Sequence, residues 1–167
     1  MKATQSLILF LLVFNLSWSQ KELTITNAFS ENNKAVFSLE SGAQISLDFL
    51  NSKNIKFWFS PSGEFQRTNP SFAVINENFD PEFSINLNES ASSYEIFTAD
   101  LRLIINKSPF NIQIFNKYQK LILGDTDLPY VVNGTETKTT KTLRSDEHFF
   151  GLGEKTGTLD RRGKSYT

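Results

Sequence analysis

Apolar and polar residues alternate with a period of two along most of this chain. Ile45, Leu47 and Phe49 are interleaved with Ser46 and Asp48. Ile55, Phe57 and Phe59 are interleaved with Lys56, Trp58 and Ser60. The same pattern runs through Phe83, Ile85 and Leu87, through Leu101, Leu103 and Ile105, and through Phe110, Ile112 and Ile114. Successive side chains of a strand point to opposite faces, so each run lays one apolar row against a core. The runs are separated by turn formers: Ser41-Gly42, Pro61-Ser62-Gly63, Asn69-Pro70, Asp80-Pro81 and Asn133-Gly134. Thr135 to Thr142 is polar and β-branched and predicts an exposed strand. No window past residue 20 keeps an apolar i, i+3, i+4, i+7 pattern for three turns. Many short strands without helices predict an all-β, antiparallel β-sandwich or barrel.

The N-terminus departs from this pattern. Lys2 precedes an apolar run from Leu7 to Leu16, and Ser17-Trp18-Ser19 follows. A charged start, a short apolar stretch and small residues two apart make up a secretory signal. The run is about half the roughly twenty residues a spanning helix needs. Residues 1–19 are therefore expected to be a signal peptide cleaved near Ser19/Gln20, leaving a secreted or periplasmic chain with no membrane span. Residues 20–144 are expected to form the sandwich body. From 145 the composition shifts to glycine and charge, so 145–167 is expected to hold a last strand and a glycine-rich loop.

Composition narrows the chemistry. The chain has 167 residues, a length suited to about one domain. Sixteen Phe against one Met suit a core of flat rings. A net charge of −1 offers no basic excess for nucleic acid. The absence of Cys excludes disulfides, thiolate metal sites and Cys nucleophiles, and a single His excludes a His-rich metal site. Sequons begin at Asn88, Asn106 and Asn133, acceptors only in a host with the machinery.

The glycine-rich tail does not spell a phosphate loop. Five residues separate Gly157 from Gly163-Lys164-Ser165, where a Walker loop has four. After Gly151-Leu152-Gly153, the position a dinucleotide loop gives to glycine holds Thr156. His148 lacks the local partners of a catalytic histidine and reads as an ordinary strand or turn residue. Trp58 suits core packing better than sugar stacking. Asp146, Glu147, Glu154 and Asp160 are the tail carboxylates, and loop spacing cannot set the separation a glycosidase pair needs. Solvation or turn-holding is their ordinary role.

The stretch from Phe149-Phe150-Gly151-Leu152-Gly153-Glu154-Lys155-Thr156-Gly157 through Asp160-Arg161-Arg162-Gly163-Lys164-Ser165-Tyr166 resembles a segment of glycoside hydrolase family 31, the α-glucosidase family. Two upstream stretches are similar to the same domain: Ile55 to Phe65 followed by Ser71-Phe72-Ala73-Val74, and Pro109 to Ile122. The resemblance runs from about residue 23 to the end. It implies a galactose-mutarotase-like sandwich that precedes a (β/α)₈ barrel in a retaining hydrolase of α-linked glucosides or oligosaccharides, with no metal or organic cofactor. The family's two catalytic aspartates lie on the barrel. A barrel takes at least about 200 residues, so no residue here is assigned to catalysis.

On this reading the chain is the N-terminal part of a secreted hydrolase, inactive alone, whose loop shapes the sugar site. A free-standing sugar-binding sandwich is the alternative. Asp160, Arg161 and Arg162 are the candidate substrate-binding residues. The two arginines suit pairing with carboxylates, donation to sugar hydroxyls or plain solvation. An apolar face left uncovered is expected to make the chain prone to associate.

Overall fold

The computed structural model describes residues 23–65, 83–133, 136–151, 153–154 and 156–165. The expected signal peptide, the Asn69-Pro70 and Asp80-Pro81 turns and the Ser71–Val74 stretch lie outside them.

Ten strands form, and no helix occurs among the described residues. The first sheet contains β1 (Ile25–Glu31), β2 (Lys34–Leu39), β3 (Gln44–Phe49) and β4 (Ile55–Ser60), in that order. The second contains β5 (Leu87–Glu89), β6 (Ser93–Phe97), β7 (Leu101–Lys107), β8 (Phe110–Asn116), β9 (Leu121–Asn133) and β10 (Glu136–Lys141), again with sequence neighbours paired. Every pairing is antiparallel. Short connections between consecutive strands produce such meanders. The result is the antiparallel sandwich that the alternation predicts.

Register aligns the apolar rows. Phe37 lies opposite Ile45, and Ile45 opposite Phe59. In the second sheet Tyr94 lies opposite Ile105, and Ile105 opposite Ile112. These rows face each other and form one core, in which Phe37, Ile45, Phe49, Ile96, Leu103 and Ile105 are fully buried. The Phe37 and Tyr94 rings meet across it at 5.7 Å.

Two turns fix the first sheet. Asn32 takes a positive φ of 52° between β1 and β2, a conformation Asn tolerates better than other side chains. Gly63, after β4, has φ 78°, and a Cβ there would lie 2.6 Å from the Gly42 carbonyl oxygen. The β2–β3 turn and the chain leaving β4 thus touch through backbone alone.

Two expected strands differ. The row Phe83, Ile85, Leu87 becomes strand only at Leu87. The Ile85 amide instead donates to the Asn32 carbonyl of the other sheet at 2.9 Å, so Ile85 enters the core without joining a ladder. The last strand expected after residue 144 does not form among the described residues, and β10 is the final one. Gly151, Gly153, Gly157 and Gly163 all have positive φ, which is incompatible with extended pairing.

Candidate functional site

The segment 144–165 leaves β10 and is fastened by side chains in place of a ladder. Arg144 begins it. Its Nη1 donates to the Leu121 carbonyl of β9 at 2.7 Å, and its backbone N–H donates to Glu147 Oε2 at 2.8 Å. Its guanidinium also pairs with Glu147 at 3.3 Å and Asp146 at 3.3 Å. The Asp146 carboxyl is held below its ordinary range by its own backbone amide and by Arg144.

Asp160 closes the loop. Its Oδ2 lies 2.6 Å from His148 Nδ1. Its Oδ1 accepts the Arg162 amide at 3.0 Å and the Phe149 amide at 3.3 Å. The Arg161 amide returns a bond to the Phe149 carbonyl at 2.7 Å. The His148 hydrogen bond leads the causes that lower the Asp160 carboxyl to about 2, followed by the backbone amides. A carboxylate at that value only accepts, so Nδ1 of His148 is the donor of this bond.

The two arginines secure the same loop. Arg161 Nη1 donates to the Thr156 carbonyl at 3.0 Å. Arg162 Nη1 donates to the Arg144 carbonyl at 2.8 Å and to the Glu147 carbonyl. The sequence-predicted trio of Asp160, Arg161 and Arg162 therefore sits together where the loop closes, half-buried, with Asp160 directed at His148 and both guanidiniums on carbonyls. The fastened loop leaves Phe149, Phe150 and Leu159 exposed.

His148 is the residue that local reading passed over. Its partner lies twelve positions on, beyond the reach of any short motif. Trp58 has its ring engaged by the Lys56 ammonium at 4.4 Å and the edge of Phe65 at 5.7 Å, as packing predicts.

A separate cleft of about 310 Å³ opens between β4 and the β8–β10 side of the second sheet. Its wall is apolar, with Phe57 stacked on Tyr130 at 5.5 Å. One corner is polar: the Asp125 side chain is fully buried, accepts the Ile112 amide at 2.8 Å and pairs with Lys141, which also reaches Tyr130 Oη at 3.0 Å. Burial raises the Tyr130 hydroxyl above its ordinary value. Among the described residues no three His, Asp or Glu side chains converge to hold a metal ion, and no helix is long and apolar enough to cross a membrane.

A four-stranded and a six-stranded antiparallel sheet around one core, ending in a glycine-rich loop, define a β-sandwich domain of the galactose-mutarotase-like class. The family model of the glycosyl hydrolase 31 N-terminal galactose mutarotase-like domain matches residues 44–167. The chain belongs to that family. It is 27% identical over 125 residues to alpha-glucosidase 2 of Bacillus thermoamyloliquefaciens, an alignment covering 74% of this chain and 15% of that protein. A family 31 dextranase of Flavobacterium johnsoniae, solved with isomaltotriose and with glucose, shares 43% identity over 87% of this chain, with a TM-score of 0.79. The chain spans 18% of that enzyme. The cycloalternan-forming enzyme of Listeria monocytogenes shares the fold, with a TM-score of 0.68 at 17% identity.

Proposed function

We propose that this chain is the substrate-shaping N-terminal domain of a secreted family 31 glycoside hydrolase acting on α-linked glucosides, and that it has no catalytic power alone. The single observation that carries this reading is the side-chain-fastened loop at the end of the sandwich. Arg144, Arg162 and the Asp160–His148 pair spend their hydrogen bonds on shaping the chain, and the loop's apolar residues face outward. That is the arrangement of a preformed surface rather than of a reaction centre. Asp146, Glu147 and Asp160 are each paired with a basic group of the same loop, so none stands ready to attack or protonate a glycosidic bond. The likeness at 43% identity to a dextranase solved with isomaltotriose supports an α-glucoside as the sugar. Asp160, Arg161 and Arg162 then serve the substrate by holding the loop in shape.

Purified chain 20–167 is expected to release no glucose from p-nitrophenyl α-glucoside or isomaltotriose. Turnover by a pure preparation overturns the non-catalytic reading. DNA downstream of codon 167 is expected to encode a (β/α)₈ barrel. A stop codon there, with sugar bound unaided, would make the chain a free-standing binding module instead. Exported protein is expected to begin at Gln20 by N-terminal sequencing.

A further inference from the structure

Exposed aromatic rings recur on this molecule, and they differ in what surrounds them. Trp58 is engaged by Lys56 and Phe65. Tyr118 stands on a hairpin tip with Lys117 near its ring. Phe57 faces the apolar cleft, whose polar corner is closed on itself by Asp125 and Lys141. His148 and Phe150 combine two exposed, nearly parallel rings with a hydrogen-bonding edge fixed by Asp160.

We propose that His148 and Phe150 form a saccharide subsite on the closing loop, with Phe150 as the stacking face and His148 Nε2 as the hydrogen-bonding partner of a sugar hydroxyl. The proposal deepens the α-glucoside reading above and rests on it. The two rings are nearly parallel, 23° apart, with centroids at 6.3 Å. Phe150 keeps 63% of its surface in solvent and the His148 side chain 54%. An apolar ring face matches the C–H face of a pyranose, while a polar group at its edge sets orientation. Asp160 binds Nδ1 at 2.6 Å and so leaves Nε2 as the ring nitrogen available to a sugar hydroxyl. The same carboxylate holds the amides of Phe149 and Arg162, so one side chain fixes both the imidazole and the backbone that carries the Phe150 ring. Asp160 is thus a positioning residue for this subsite.

The test is an NMR titration of the isotopically labelled, processed full chain with isomaltotriose, watching ring and amide signals. Saturable shifts are expected at His148 and Phe150, with a millimolar dissociation constant. Phe150→Ala is expected to weaken binding about tenfold, the loss of one stacking contact. Asp160→Asn is expected to weaken it several-fold and to change the imidazole ¹⁵N shifts, because Nδ1 loses its carboxylate partner, a signature that loosened packing alone does not give. Retained strand amide signals show that each variant is folded. Should a variant unfold, the wild-type shift map decides by itself. No shifts at residues 148 and 150, shifts confined to the Phe57–Tyr130 cleft, or wild-type affinity in Phe150→Ala each overturn the subsite. Those results leave the non-catalytic reading standing, whereas glucose release by the pure chain overturns that reading and leaves the subsite.

Discussion

Gly63 and Gly42 show how much one backbone contact asks of the sequence. Both have positive φ, but only at Gly63 would a Cβ strike another backbone, the Gly42 carbonyl at 2.6 Å, while nothing lies within 4 Å of a Cβ at Gly42. Gly42→Ala is expected to cost about 1–2 kcal/mol, the conformational term for a side chain in the left-handed region. Gly63→Ala adds a clash with backbone that cannot swing away, so urea denaturation is expected to show a clearly larger loss. Asp160 carries a pH dependence of known sign. Its carboxyl is lowered to about 2 when folded, against about 3.9 for a free aspartate. Its hold on the loop is therefore complete above about pH 4 and lost as pH falls through about 2. Hydrogen exchange at the Phe149 and Arg162 amides is expected to speed up across that window. In Asp160→Asn the acid-induced step disappears.

Strand against strand, the packing is legible wherever alternation is strict. The inner rows of β3, β7 and β8 follow the sequence pattern, because burying the apolar row leaves no other register open, whereas in β4 Ile55 and Phe59 pack on the core and Phe57 stays exposed at the cleft. The pattern is quieter in β1, β2 and β6, where Asn, Ser and Glu sit among the apolar residues, and those strands become evident only from their pairing. Asp125 illustrates what alternation does not report. It lies in β9 with no exposed side-chain surface, satisfied by the Ile112 amide of β8 and by Lys141 of β10, so one carboxylate joins three strands. Burial pulls the Lys141 ammonium down, but its bonds to Asp125 and Tyr130 outweigh this and hold it above its ordinary value. Asp125→Ala would strand that ammonium and a ladder amide. It is expected to cost about 3 kcal/mol by chemical denaturation. Asp125→Asn keeps an acceptor for Ile112 and is expected to lose less.

The whole sandwich shares one core, so its two sheets are expected to unfold together. Phe37→Ala in the first sheet and Leu103→Ala in the second each delete a fully buried side chain. Losses of about 3–5 and about 2–5 kcal/mol are expected, with single coincident transitions by fluorescence and circular dichroism. Separate transitions would mean that the sheets are independent units. The alternating rows, the turn glycines and the glycine-rich tail are local facts, so the chain's own order of residues suffices to make it an antiparallel sandwich with a loop. The loop's function depends on contacts that no local order specifies. Asp160 meets His148 across twelve residues, and Arg144 reaches back to Leu121 across twenty-three. A hydrogen bond forms only when donor and acceptor come within about 3 Å. Folding the loop onto the end of the second sheet is what turns separate charged residues into one fixed surface.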